Sequence, residues 1–165
     1  MNDLKKEREF HTVRGYQMLH AEEKLLTSSM EDYLEMIYRI CLAEEYVRIN
    51  QLAEKLNVRP SSATKVVQKL KALQLIHYQR YGIIQLTEEG AVIGAFLLKR
   101  HQIIEQFLRN LGIENTLLKD TEMIEHDVSL ATLENMRIMN EFLYHNPDVM
   151  ERYEIFKERA NMDME

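Results

Sequence analysis

The chain has 165 residues, 45% of them hydrophobic, which is enough for one or two small domains with cores of their own. Its only cysteine, Cys41, excludes an intrachain disulfide and a cysteine-rich zinc site. The net charge is −6, the longest clean apolar run, Ala91–Leu98, is too short for a bilayer, and the charged N-terminus has no signal-peptide core, so we expect a cytoplasmic protein with no membrane partner.

The chain begins with an N-terminal extension, residues 1–27, of balanced charge, in which Phe10, Val13, Met18 and Leu19 fit a helical stripe. The low counts of glycine and proline and the 3.6-residue periodicity predict a mainly α protein. The first helix of the main body is expected from Ser28 or Ser29 to about Glu44. A serine caps it, and acids in the first turn suit the helix dipole.

A second, short helix is predicted from Ile49 to Leu56, and a third from Ser61 to about Leu73. Pro60 separates them, because proline disfavours a helical residue before itself and suits the first turn of a new helix. Two β-rich segments around Arg80-Tyr81-Gly82 predict a hairpin, and Thr87 caps a long helix to about Asn110. Helix, helix, turn, helix and hairpin is the order of a winged helix-turn-helix, which we assign to residues 28–90.

Basic residues are concentrated between Arg48 and Tyr81, where seven lysines and arginines accompany one acid, Glu54. The net charge of this segment is +6, so the net charge of the rest of the chain is −12. A basic module joined to an acidic body is typical of a protein that binds phosphate through one face. A solvated charged helix face is the alternative. The third predicted helix, with the turn before it, and the hairpin tip offer these candidate contacts to double-stranded DNA: Arg59, Ser61, Ser62, Thr64, Lys65, Gln68, Lys69, Arg80 and Tyr81.

The second half of the chain predicts a helical domain, residues 91–145, and a helical tail, residues 146–165. Helices are expected over Glu114 to about Val128 and Leu133 to Leu143. Three predicted helices carry six oxygen and imidazole side chains at spacings that share a helix face: Asp32, Glu35, His101, Glu122, Glu125 and His126. This carboxylate-rich set without sulfur favours a hard divalent ion such as manganese.

Each part of this set has an ordinary alternative when taken alone. Glu122 and Glu125 could form an exposed acidic face, and His126 could be an interfacial histidine. Asp32 and Glu35 are common first-turn acids, and His101 could bond a backbone carbonyl. The interpretation as metal ligands is favoured over these alternatives because all six residues lie where three helices could meet.

Four segments of the chain are distinctive: Ser29-Met30-Glu31-Asp32-Tyr33-Leu34-Glu35, the run from Pro60 to Leu70, the run from Arg100 to Leu108, and Glu122-Met123-Ile124-Glu125-His126. They resemble the manganese transport regulators, a branch of the diphtheria toxin repressor family. The resemblance covers about Ser28 to Phe142, and the motifs follow one another at matching separations.

The resemblance implies a homodimeric, manganese-dependent repressor of metal-uptake genes, with a helical metal-binding and dimerisation domain after the DNA-binding domain. It further implies two Mn²⁺ ions per subunit between these domains, with Fe²⁺, Co²⁺, Zn²⁺ or Cd²⁺ as substitutes. By this resemblance, one ion would be bound by Asp32, Glu125 and His126, and the second by Glu35 and His101. Glu122 would bind both ions, and a backbone carbonyl would complete the coordination shell.

Metal choice is expected to depend on two positions. The iron-responsive branch looks to have methionine and cysteine where this chain has Asp32 and Glu125, and hard oxygens suit manganese better. The chain departs from the family in its extension and at Asp127, which stands where a second histidine often follows. It also has too few residues after Phe142 for the small barrel of the iron branch.

Two alternatives to a manganese regulator remain. One is a winged-helix regulator that senses iron or another ligand, which a metal titration of DNA binding would distinguish. The other is a di-metal carboxylate enzyme, but the paired Glu-x-x-His motifs of such bundles are missing, as are phosphate loops and nucleophile motifs. We therefore expect no enzymatic activity.

Overall fold

The computed structural model describes residues 26–162, so the N-terminal segment with the stripe around Phe10 lies outside the described residues. The chain divides into two compact units between Lys99 and Arg100. The described elements, in chain order, are α1 (Ser28–Cys41), β1 (Val47–Arg48), α2 (Ile49–Lys55), α3 (Pro60–Ala72), β2 (Ile76–Tyr78), β3 (Ile83–Leu86), α4 (Glu88–Asn110), α5 (Leu117–Glu125), α6 (Leu130–His145) and α7 (Pro147–Met162).

Helix α1 begins where the sequence predicts but ends three residues before Glu44. The expected serine cap is wrong, because the capping residue is Thr27. Its extended backbone lets the side-chain oxygen accept a hydrogen bond from the Met30 amide at 3.4 Å. Leu34 and Ile37 are fully buried and anchor α1 in the core of the first unit.

Helices α2 and α3 form the predicted helix-turn-helix, with bounds within one residue of those expected. Asn57 turns the chain with a left-handed backbone (φ 52°), and Pro60 occupies the first turn of α3. The inner face of α3 packs on α1 and α2 through three fully buried residues, Ala63, Val67 and Leu70. Its opposite face is therefore left to solvent.

A three-stranded antiparallel sheet of order β1-β3-β2 forms the wing. The hairpin of β2 and β3 is confirmed, with Ile76 opposite Leu86. Strand β1 was not predicted, and it pairs Val47 with Ile84, so that the sheet is joined to the segment that precedes α2. The mainly α fold with a winged helix-turn-helix is thus as expected.

Helix α4 begins at a cap that the sequence predicts. The Thr87 hydroxyl oxygen accepts from the Gly90 amide at 3.0 Å, and the hydroxyl donates to the Leu75 carbonyl at 3.0 Å. A Cβ atom at Gly90 would lie 1.9 Å from that carbonyl oxygen. Only glycine lets the helix start this close to the strand-forming segment.

The second unit contains the end of α4 and helices α5 to α7. Helix α5 is shorter than the predicted Glu114–Val128, whereas α6 extends beyond the predicted Leu133–Leu143 at both ends. The Asn140 side chain donates to the Ile103 carbonyl at 2.9 Å and accepts from Asn110 at 2.9 Å. These bonds fix α6 on α4.

Helix α7 occupies the predicted helical tail and is attached to the end of α4. The Lys157 ammonium group donates to the Leu111 carbonyl oxygen at 3.0 Å. A positive charge at the C-terminal end of a helix is favourable because it opposes the helix dipole. None of the described helices is both long enough and apolar enough to cross a membrane.

Candidate metal centre and DNA-binding surface

The outer face of α3 presents polar and basic side chains to solvent. Because every third or fourth residue of α3 is buried, the residues between them share the opposite face. Six of the predicted DNA contacts are exposed there or at the turn before the helix: Arg59, Ser61, Ser62, Lys65, Gln68 and Lys69. Within residues 26–162, the four basic residues Arg59, Lys65, Lys69 and Arg80 have no carboxylate partner. Their charge is available to a phosphate backbone.

Thr64 differs from the other predicted contacts of α3. It is half-buried, and its hydroxyl donates to the Pro60 carbonyl at 2.9 Å. The hydroxyl proton is therefore already used within the helix. A phosphate contact by Thr64 would require this bond to break.

The wing carries the other two predicted contacts, Arg80 and Tyr81, at the tip of the hairpin, and both are exposed. Close to the wing, the Lys71 ammonium group donates to the Tyr78 carbonyl at 3.3 Å. The Arg48 guanidinium on β1 lies 5.6 Å from the centre of the Tyr46 ring. The wing therefore adds cations to the positive surface of α3.

The first unit supplies two of the six candidate metal ligands, Asp32 and Glu35, one helical turn apart on α1. Glu35 is buried and accepts a hydrogen bond from the Arg39 Nε atom at 2.9 Å. Burial and, to a lesser extent, the charge of Asp32 raise the pKa of the Tyr33 phenol between them. Tyr33 therefore stays protonated beside these carboxylates.

The second unit brings three of the candidate ligands together. The His101 Nδ1 atom lies 2.9 Å from the Glu125 Oε2 atom, and the two residues are 8% and 3% exposed. His126 follows directly at the C-cap of α5, and a ligand atom of its ring lies within 4.8 Å of one from Glu125. Two imidazoles and a carboxylate are common ligands of divalent transition metals.

Glu122 is placed differently from Glu125. The buried face of α5 consists of Leu117, Thr121 and Glu125, four residues apart, whereas Glu122 is exposed beside Leu118. Among the described residues, Glu122 belongs to no group of three potential ligand atoms that all lie within 4.8 Å of one another. The three-residue spacing still lets it reach an ion held by Glu125.

Sequence reasoning missed two contributors to these surfaces. Arg39 pairs with Glu35, and its position four residues later on α1 was a usable signal. Strand β1 brings Arg48 to the wing, but its two residues give no alternating pattern. Only the pairing with β3 reveals it.

Two family models match the chain in order. The N-terminal DNA-binding domain of iron-dependent repressors matches residues 25–84, and their metal-binding and dimerisation domain matches residues 87–154. Together the two models cover most of the chain.

The chain is similar to curated transcriptional regulators. The HTH-type transcriptional regulator MntR of Lysinibacillus sphaericus is 37% identical over 137 residues, which are 82% of this chain and 99% of that relative. MntR of Bacillus subtilis is 42% identical over 113 residues, 68% of this chain and 80% of that relative.

Solved structures share the fold. The metal-dependent transcriptional regulator MtsR has a TM-score of 0.63 at 27% identity, over 71% of this chain and 55% of that chain. A manganese-dependent transcriptional repressor in complex with manganese has a TM-score of 0.62 at 28% identity, over 68% and 53%. The chain thus spans about half the length of these solved proteins.

Proposed function

The chain belongs to the iron-dependent repressor family, in the branch of the MntR regulators, and from this premise we propose that it represses transcription in response to manganese. It is a metal-dependent DNA-binding regulator and not an enzyme, as its relatives are regulators. The observation that carries the proposal is the buried contact of His101 with Glu125. Paired ionisable groups in a buried position are typical of functional sites.

We propose that two Mn²⁺ ions bind to each subunit through the six side chains Asp32, Glu35, His101, Glu122, Glu125 and His126. Asp32, Glu125 and His126 serve one ion, Glu35 and His101 serve the other, and Glu122 is shared. The donor chemistry supports this assignment, because four carboxylates and two imidazoles without sulfur suit a hard divalent ion. Fe²⁺, Co²⁺, Zn²⁺ and Cd²⁺ would occupy the same ligands as substitutes.

The proposed DNA contact places α3 in the major groove of an operator and the wing on the backbone or minor groove. The exposed position of Gln68 on α3 supports a role in reading base edges. The exposed cations Arg59, Lys65 and Lys69 support contacts with phosphates. Ser61 and Ser62 would add hydroxyl contacts near the start of the helix, and Thr64 would do so only after its bond to the Pro60 carbonyl breaks. Arg80 and Tyr81 would act from the wing.

Manganese would control DNA binding by linkage between the two units. Asp32 and Glu35 belong to the unit that carries α3, whereas the other proposed ligands belong to the second unit. An ion that takes ligands from both sets would favour one arrangement of the two units over others. Metal binding would then change the affinity of the chain for DNA, and DNA binding would change its affinity for metal. We further propose a cytoplasmic homodimer that represses metal-uptake genes.

DNA binding measured with several metals tests this function. Duplexes retained from a random 30-base-pair pool by the unaltered chain with manganese serve as the probe. Their affinity is then measured with manganese, iron(II), zinc and no metal, under anaerobic conditions. At equal metal concentrations, the affinity for DNA should be highest with manganese and lower with iron(II) and zinc. Equal affinity with and without every metal would instead indicate a regulator that senses another ligand.

A further inference from the structure

Tyr81 at the wing tip is a bulky residue with an exposed side chain and a left-handed backbone. Its side chain is 91% exposed, and its backbone is left-handed with φ 66° and ψ 19°. A bulky residue pays free energy for this conformation, which glycine adopts without penalty. The exposed ring gains no packing in return, so folding alone does not account for tyrosine here.

The surrounding structure holds Tyr81 in this conformation. The next residue, Gly82, is also left-handed (φ 72°), and a Cβ atom there would lie 2.6 Å from the Ile49 side chain of α2. On the other side, the Gln79 amide donates to the Ile83 carbonyl at 2.9 Å. The backbone of the tip is therefore held between the hairpin and the helix-turn-helix.

The chemistry of the tip fits nucleic acid. Arg80, the residue before Tyr81, provides an exposed cation, and no carboxylate occurs between His77 and Gln85. A phosphate backbone attracts such a tip, and an aromatic ring can pack on the sugar and base edges that lie behind the phosphates. A backbone conformation that costs stability yet persists at an exposed tip indicates a functional constraint.

We propose that the ring of Tyr81 packs against the sugars of duplex DNA and that the strained backbone at this position is retained for that contact. The inference rests on the proposed function, since it assigns a role within the same DNA-binding surface. It distinguishes Tyr81 from Arg80, whose contribution is electrostatic. Loss of the ring should weaken DNA binding without changing its salt dependence.

Glycine and phenylalanine substitutions test the proposal in the full-length chain with manganese and the selected duplexes. Tyr81→Gly removes the ring and the strain, whereas Tyr81→Phe keeps the ring. The matched control is Gln74→Gly, because Gln74 is another exposed residue of the first unit with a left-handed backbone (φ 60°). Thermal unfolding and DNA affinity at several salt concentrations are measured for all three.

Tyr81→Gly should unfold at the same temperature as the unaltered chain or higher, and bind DNA about fivefold or more weakly, which corresponds to a loss of about 1 kcal/mol. Tyr81→Phe and Gln74→Gly should keep full affinity, and the salt slope should stay unchanged in every variant. If Tyr81→Gly binds as tightly as the unaltered chain, the inference is wrong while the proposed function stands. If the unaltered chain shows no metal-dependent DNA binding, the proposed function fails first.

Discussion

The His101 Nδ1 atom lies 2.9 Å from the Glu125 Oε2 atom, and both side chains are buried in the second unit. Two side chains that commonly bind metal are thus already in contact 24 residues apart in the sequence. Because His101 and Glu125 are proposed ligands of two different ions, metal binding would break this contact and compete with protons for both groups.

Removing the charge of a proposed ligand should weaken manganese binding. Glu125→Gln and Glu122→Gln are each expected to lower manganese affinity at least about 10-fold, because even outer-sphere partners of metal sites contribute that much. Calorimetric titration of the purified chain with Mn²⁺ measures the change. Asp127→Asn is the control, since it removes an exposed neighbouring carboxylate that is not a proposed ligand. Unchanged affinity for Glu122→Gln would remove this residue from the ligand set.

The α3 surface should respond to substitution in two different ways. Lys65→Ala or Arg59→Ala should weaken binding to all duplexes and lower the slope of log affinity against log salt by about one unit for each lost phosphate contact. Gln68→Ala should instead relax the preference at one base position. Lys119→Ala, an exposed lysine of the second unit, is the control and should leave both unchanged. If none of the three α3 variants differs from this control, α3 is not the reader.

The sequence predicted the helix-turn-helix well because its signals are local. Pro60 marks the start of α3, and the apolar spacing through Leu70 marks its buried face. The direction in which α5 faces was beyond local reasoning: Glu122 and Glu125 share a helix side by spacing, yet only Glu125 is buried. Which part of a helix surface is covered depends on packing against neighbouring helices, and a single sequence does not encode that directly.

Exchanging two ligands should change the preferred metal. Asp32→Met replaces a hard oxygen by a soft thioether, and the double variant with Glu125→Cys goes further, so both should respond relatively better to iron(II). The manganese and iron(II) concentrations that half-activate DNA binding are compared under anaerobic conditions. Glu31→Met on the same helix is the control and should keep the original ratio. A ratio that does not move toward iron in the double variant would show that these residues do not set metal choice.

An ion pair on α6 should give a small pH-dependent contribution to stability. The hydrogen bond from Arg137 lowers the pKa of Glu134 below its usual 4.5. A carboxylate with a lowered pKa in the folded state stabilises it above the unfolded pKa, and this contribution is lost as pH falls through the folded pKa. Because the pair is partly exposed to solvent and lies within one helix, we expect about 0.3 to 0.5 kcal/mol. Urea unfolding of Glu134→Gln should show that loss at pH 6 and not below the folded pKa, with Glu154→Gln as control. An equal difference at both pH values would contradict this explanation.

Linkage between metal and DNA is tested most directly by titrating the unaltered chain with manganese in the presence and absence of saturating duplex DNA. If one ion couples the two units, DNA must raise manganese affinity by the same factor by which manganese raises DNA affinity, about 5- to 150-fold for typical allosteric coupling. Equal factors in that range are the result we predict. The same manganese affinity with and without DNA would contradict metal-controlled DNA binding.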